Sequence, residues 1–424
     1  MNIFITILLW ITYTISLYFS VFLLLIYIDR KNLFQEEKSS LFLSQTPLVS
    51  IIVPAFNEQE TIIHTLESIH HLEYPHDKLD VIVINDGSTD KTKPLVEEYI
   101  KDKPHFQLIS QRNKGKAAAL NHGLALARGE FFSCLDADSF VDPLTLRKML
   151  ALYYTENNPK LAIITPAMKV SQPKNILQRV QWLEYIVIIF VGRLASHLDS
   201  LYVAPGPFSL YRTDIIKSLG CFDETNITED QEIAYRVQKH QYIIKQCFDG
   251  YVYTTAPGKL RPFYRQRRRW YLGSILCLHQ YRDLIVNRKY GDFGLMQMVK
   301  NIAGYFLAIT GIALAFHFLL RPAYTWFRNL FAVQFDIMPF IRNYTPHIDL
   351  LTLLLTDIQK LFIVIFLFII GFLFFYLAHK NAQEKMLKFG WIPVIPYFVF
   401  YYLLKGTILL LCVITFTKKK KLQW

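Results

Sequence analysis

The sequence predicts an α/β domain, built on a mostly parallel sheet, inserted between transmembrane helices. Three observations predict it. Residues 3–28 contain no charged side chain, and a run of that length spans a bilayer. From residue 48 onward, short β-rich runs alternate with helical patterns, the signature of βαβ units. After Pro262, long apolar stretches return. Composition agrees. Of 424 residues, 52% are hydrophobic and 19% charged, which excludes intrinsic disorder and argues against a purely soluble protein. The net charge of +12 suits cytoplasmic loops near anionic lipid, and also a polyphosphate-bearing substrate. No zinc-finger or RNA-binding signature accompanies it, so no nucleic-acid partner is expected. The five cysteines are scattered without a CxxC, so neither a disulfide framework nor a zinc site is expected.

Residues 1–29 read as an uncleaved N-terminal anchor. No positive region precedes the apolar run and no small-residue cleavage site follows it. Asp29, Arg30 and Lys31 come next, which puts the following chain in the cytoplasm by the positive-inside rule. Residues 30–47 are a polar linker ending at Pro47. Residues 48–265 are the cytoplasmic domain. Its expected strands are 48–55, 80–85, 106–110, 131–136 and 161–165, and its expected helices 58–72, 90–102, 115–128 and 142–157. The run Val81–Ile84 is apolar on both faces, as a covered sheet requires. Residues 266–290 form an interfacial helix that joins basic residues to Leu272, Ile275 and Leu276; 175–195 is a similar segment. Residues 291–424 are a C-terminal transmembrane region with apolar stretches at 294–320, 361–378 and 391–416. Pro393, Pro396 and Lys405 interrupt the last. A lysine at mid-bilayer is costly unless paired or wet. A re-entrant segment is therefore expected there, which would also keep Lys418–Lys421 inside.

Five constellations carry candidate chemistry. Phe56-Asn57-Glu58 ends the first strand, where open parallel sheets bind ligands. The bland alternative is that Asn57 caps a helix whose positive end suits Glu58. Asp86 lies in Asn85-Asp86-Gly87-Ser88-Thr89, again after a strand. Its carboxylate can accept hydrogen bonds from a base or ribose; alternatively Gly87 makes a turn that Ser88 or Thr89 caps. Asp136-Ala137-Asp138 follows a strand-like run. Residues two apart in an extended segment point the same way, and paired carboxylates with substrate phosphates suit Mg²⁺ or Mn²⁺. Thr228-Glu229-Asp230-Gln231 is either a capping box or the source of a general base. Gln266-Arg267-Arg268-Arg269-Trp270 is either a basic membrane-surface helix or an arginine that neutralises a leaving diphosphate beside a flat tryptophan platform. Three adjacent arginines cannot all point at one site.

Taken in order, these motifs resemble the pattern D…DxD…D…Q(Q/R)xRW of the family 2 membrane glycosyltransferases, which include poly-N-acetylglucosamine, cellulose and hyaluronan synthases. The match runs through roughly residues 48–272 and is most similar in layout to the poly-N-acetylglucosamine synthases. The resemblance implies a GT-A domain (a Rossmann-like nucleotide-diphospho-sugar transferase), a UDP-sugar donor, Mg²⁺ or Mn²⁺, and inverting transfer to a glycan acceptor. Under it, Phe56, Asn57, Glu58, Asp86, Lys114, Lys116, Asp136 and Arg269 would bind the nucleotide-sugar. Asp138, with Asp136, would hold the metal, and Asp230 would be the catalytic base. Gln266, Trp270, Glu229 and Gly206, the last within Ala204-Pro205-Gly206-Pro207-Phe208, would meet the acceptor. It implies a multi-pass protein of the plasma membrane, in the lipid bilayer, with an accessory export or regulatory subunit as a further partner. Two activities fit: processive extension of a β-linked polysaccharide, and transfer of one sugar to a lipid or short glycan. A non-catalytic scaffold would not need three intact acidic motifs.

Overall fold

The computed structural model describes residues 3–31, 43, 45–335, 338 and 358–418. Most of the expected linker at 30–47 and the basic tail beyond Lys418 lie outside the described residues. The chain starts with α1 (Ile3–Asp29). Then β1 (Val49–Ala55), α2 (Ile62–His70), β2 (Leu79–Asn85), α3 (Thr92–Ile100), β3 (Phe106–Ser110), α4 (Lys116–Leu126) and β4 (Phe131–Cys134) alternate as the sequence predicts. They are followed by β5 (Ser139–Val141), α5 (Thr145–Glu156), β6 (Leu161–Val170), α6 (Ile176–His197), β7 (Leu210–Arg212), α7 (Thr213–Ser218), α8 (Glu229–Lys239) and β8 (Ile243–Thr254). Among the described residues, helix α9 (Leu260–Gln280) is followed by three long apolar helices, α10 (Phe293–Ala332), α11 (Ile358–Asn381) and α12 (Val394–Thr417).

Two cores sandwich one sheet. In β1, Ile51 and Val53 face one core and Ile52 the other; in β2, Val81 and Val83 divide from Ile82 and Ile84 in the same way. Residues of α2 and α5, such as Leu66 and Met149, cover the first face. Residues of α4 and α8, such as Leu120 and Ile233, cover the second. The strand order is β3-β2-β1-β4-β7-β6-β8-β5. The first four strands are parallel throughout, and β6 is parallel to β8. However, β7 runs antiparallel between β4 and β6, and β5 runs antiparallel to β8. The far half is therefore mixed. Its strands β5, β7 and β8 are those the sequence reading did not mark. Strands β5 and β7 have three residues each, too few to show a period, and β8 pairs with β6 through register shifts. Strand order reverses between β1 and β4, so a crevice opens beyond their carboxyl ends.

Helices α1, α10, α11 and α12 are long and apolar enough to cross a membrane. The two expected interfacial segments, α6 and α9, pack Trp182, Ile186, Phe263 and Leu272 against Phe375 of α11 and Tyr397 and Ile408 of α12. The basic-aromatic segment sits inside α9, which begins six residues before Gln266. The re-entrant expectation for 391–416 needs correction. Helix α12 runs continuously from Val394, with Pro393 at its cap and Pro396 in its first turn. Amides there have no helical partner, so the prolines start the helix rather than break it. Lys405 is paired: its Nζ lies 2.7 Å from Glu184 Oε1.

Glu184, on α6, is the hub of that junction. Arg267 of α9 approaches its Oε2 to 2.5 Å, and the Tyr401 hydroxyl donates to the same oxygen at 2.6 Å. Burial works to raise the Glu184 carboxyl, but Arg267 and Lys405 hold it down at about 2. Removing one member of such a buried cluster strands the others, at a cost of about 3–5 kcal/mol. Glu184→Gln should therefore lower the unfolding temperature in detergent far more than Tyr401→Phe, which deletes one hydrogen bond. Equal melting of Glu184→Gln and the wild type would mean that the cluster does not hold the helices to the domain.

Candidate active site

The crevice is lined by strand ends and the loops that follow them. After β1, Asn57 takes a left-handed conformation (φ 56°), and its Oδ1 accepts the Thr89 amide at 2.9 Å. Its own amide donates to Ser88 Oγ at 3.0 Å. This lacing joins the β1 and β2 loops and corrects both capping alternatives: α2 starts at Ile62 behind Thr61, and α3 starts at Thr92 behind Lys91. Gly87 makes the turn at φ 76°, and a side chain there would strike the Asn113 backbone. The buried Asp86 carboxylate accepts from Gln111 Nε2 at 2.8 Å and from the amides of Lys114 and Gly115 at 3.0 and 2.9 Å. It thereby folds the 111–115 loop over the crevice. A carboxylate offers about four lone-pair sites, so one remains. Phe56 and Lys114 are exposed at the rim.

Beyond β4, the acidic motif meets the start of α8. Lys116 Nζ lies 2.5 Å from Asp136 Oδ1 and 3.1 Å from Glu229 Oε1. Burial opposes its charge, but Asp136, Glu229 and Asp230 hold the ammonium protonated well above its ordinary range. The carboxylates crowd each other. Burial, then Asp136, raises Asp138, whose Oδ1 accepts from Ser139 Oγ at 3.0 Å. Burial also raises Glu58 against the Thr61 hydroxyl, with Asp138, Asp136 and Asp90 adding to it. Burial, then Glu229, pushes Asp230 up to about 6, while Lys116 and Arg269 pull it back. The structure thus brings Glu58, Lys116, Asp136, Asp138, Glu229, Asp230 and Arg269 to one site. The capping-box alternative at Thr228 is absent: its side chain makes no cap bond, and Gln231 instead donates to Ser274 at 2.9 Å. The loop holding Gly206 ties the two ends together. Ala204 N donates to the Asp230 carbonyl at 3.2 Å, and Phe208 N to the Cys134 carbonyl at 2.5 Å.

The three arginines of α9 diverge. Arg267 is buried against Glu184, with its guanidinium 4.3 Å from the Trp270 ring. Arg269 is exposed and near enough to Asp230 to favour its anion. Trp270 packs partly into the junction with α6 and α12, and the Gln266 Oε1 is buried without a hydrogen-bond partner. Sequence reasoning assigned Lys116 to the nucleotide flank and did not foresee that it bridges Asp136 and Glu229. It also missed Gln111 and Glu184. The one available signal for Glu184 was that Lys405, in an apolar run, demanded an acidic partner. Asp136 and Asp138 offer only carboxylate oxygen, and both lie in a crowd of negative charge. Such donors fit a hard divalent cation.

Residues 50–220 match the family described as Glycosyl transferase family 2. This part of the chain is a family 2 glycosyltransferase domain. Among its relatives, the poly-beta-1,6-N-acetyl-D-glucosamine synthase of Staphylococcus epidermidis is 29% identical over 294 residues, covering 68% of this chain and 69% of that protein. The synthase of the same name from Staphylococcus aureus strain COL is 31% identical over 228 residues, covering 53% and 54%. The solved mannosyltransferase PcManGT from Pyrobaculum calidifontis, in complex with GDP-Man and Mn²⁺, aligns with a TM-score of 0.56 at 18% identity. That alignment covers 88% of this chain and 99% of the other. The fold is therefore the GT-A arrangement that the motif order implied, with apolar helices on both sides.

Gly206 generates a prediction. A Cβ added there would sit 2.8 Å from Lys116 Nζ and 3.3 Å from Asp136 Oδ2. Both atoms end flexible side chains, so Gly206→Ala should fold normally but displace the ammonium. Sugar transfer should fall by at least about tenfold, which is about 1.4 kcal/mol of barrier, with little change in melting temperature. Unchanged turnover would place the 204–208 loop outside the working site.

Proposed function

We propose that this protein is an inverting membrane glycosyltransferase that moves a sugar from a UDP-sugar, with UDP-N-acetylglucosamine the first choice, onto a growing β-linked polysaccharide. It works processively, with its domain on the cytoplasmic side of the plasma membrane. The observation that carries this reading is Asp230: a carboxyl raised to about 6, at a helix start, beside the Asp136–Lys116 pair. A general base is most effective when its pKa lies near the working pH. The names of the staphylococcal relatives support the sugar. The Gln266–Arg269–Trp270 element supports repeated transfer, as in the synthases this chain resembles.

In this mechanism Phe56, Asn57, Glu58 and Asp86 hold the nucleotide, with Lys114 at the rim. Lys116 and Arg269 lie where diphosphate charge must be offset. Asp136 and Asp138 hold Mg²⁺ or Mn²⁺, which when bound neutralises charge on the diphosphate. Gln266, Trp270, Glu229 and Gly206 orient the acceptor. Asp230 takes the acceptor hydroxyl proton as that oxygen bonds to the anomeric carbon. The bond from that carbon to the diphosphate breaks on the opposite face, UDP leaves, and the configuration inverts. The glycan then passes to the bilayer side, where an accessory export or regulatory subunit would receive it.

Purified full-length protein incubated with UDP-N-acetylglucosamine and a divalent cation should give a ladder of long product. A single added sugar would favour transfer to a lipid or short glycan instead. Asp138→Ala should abolish turnover without rescue by excess Mg²⁺ or Mn²⁺. Full wild-type turnover after exhaustive chelation would remove the metal from the scheme. Transfer should rise with pH through about 6 as Asp230 ionises, and Asp230→Asn should reduce it by at least about a hundredfold. The stability sign is opposite. A carboxyl raised in the fold costs nothing below its ordinary value of 3.8 and its full penalty above about 6. Asp230→Asn should therefore melt at or above the wild-type temperature at pH 7.5. Near-normal transfer by Asp230→Asn would put the base elsewhere.

A further inference from the structure

Three histidines converge at the edge of the sheet away from the crevice. His70 is the last residue of α2, His76 lies on a helical turn three residues before β2, and His105 immediately precedes β3. Each offers a ring nitrogen, and these nitrogens all lie within 4.8 Å of one another. The rings are in contact: His76 and His105 centroids are 4.6 Å apart, His70 and His76 4.8 Å, and His70 and His105 5.5 Å. The crevice opens at the other ends of the same strands. Seven-residue β2 puts about 20 Å between the two ends.

The chemistry of the group is unusual for a surface cluster. The charged groups that bear on His70 and His105 are each other, His76, His71 and Lys103, all bases. Protonation would therefore set like charges against one another. Burial first, then these neighbours, lowers His70 and pushes His105 down to about 4. Lys103 is turned away, donating to the Tyr99 carbonyl at 2.8 Å. His70 Nδ1 and His105 Nε2 are buried with no hydrogen-bond partner. Buried polar atoms of that kind are rare and costly. His76 Nε2 is 3.1 Å from the His70 carbonyl oxygen. A proton donated there leaves Nδ1 as the ligand atom, the backbone-oriented tautomer typical of metal-bound histidine.

We propose that His70, His76 and His105 form a three-imidazole site for a borderline-soft divalent metal of the zinc class, separate from the carboxylate pair in the crevice. Tetrahedral Zn–N bonds of about 2.1 Å set ligand nitrogens about 3.4 Å apart. The exposed His76, on its short turn, supplies the closing rotation. A water completes four ligands. Such a metal staples the end of α2 to the entries of β2 and the edge strand β3. It holds the frame on which Asp86 and its loop are mounted. No transfer step runs through it.

The test uses full-length protein in detergent, without a polyhistidine tag, stripped by chelation and held in saturating Mg²⁺ to fill oxygen-ligand sites. Titration with Zn²⁺ should show one tight equivalent and a rise in melting temperature. His70→Asn/His76→Asn/His105→Asn should lose both, while Asp136→Asn/Asp138→Asn should keep both. Co²⁺ added to the stripped wild-type chain should give the visible absorption of a tetrahedral nitrogen-ligated ion, a readout that does not depend on any variant folding. Zinc uptake equal in the wild type and the triple-histidine variant would overturn the site. So would wild-type protein that takes up no zinc or shows no tetrahedral cobalt spectrum.

Discussion

The candidate site depends on one ammonium. Glu58, Asp136, Asp138, Glu229 and Asp230 come together where two halves of the chain meet, and their mutual repulsion alone would drive them apart. Lys116 sits between Asp136 and Glu229 and offsets that repulsion from inside. It opens α4, directly after the 111–115 loop that Asp86 folds. The charge balance of the centre thus rests on the β2 loop, through the 111–115 turn, before any substrate arrives.

The topology explains why these residues converge. Four parallel strands deliver Glu58, Asp86 and Asp136 to the same edge of the sheet. The antiparallel strand β7 then brings the chain back beside β4, and the 204–208 loop preceding it is bonded at one end to Cys134 and at the other to Asp230. The start of α8 is thereby fixed against the acidic motif. Asp230 is a carboxyl that the fold raises rather than one that stabilises the fold, and its neighbours Glu229 and Lys116 set how far.

The parallel half was legible because its strands are buried on both faces and its helices have clear periods. The acidic motifs were legible because each ends a strand. The rest was not, for reasons that particular residues show. Asn57 has the residue type of a cap, one of the two readings open for it, but a left-handed backbone turns it toward Thr89, across 32 residues of sequence. Thr228 and Gln231 have capping-box spacing, yet Gln231 is claimed by Ser274 on a different helix. Nothing in Arg267-Arg268-Arg269 says which one is buried; only the presence of Glu184 decides it. Strand β7 is three residues long and takes its identity wholly from its neighbours. Local pattern reads local structure, and these contacts are made by distant parts of the chain.

The pairing of Glu184 with Lys405 spans 221 residues of sequence, and the acid is made first. A lysine at the centre of an apolar helix costs about 2.5–3.5 kcal/mol to insert into lipid. When α12 leaves the ribosome, α6 and α9 have already been synthesised, and the carboxylate that receives Lys405 is in place. The last helix is therefore recruited by a folded domain rather than by lipid alone. A chain whose domain misfolds would present its final segment to the membrane with an unpaired charge.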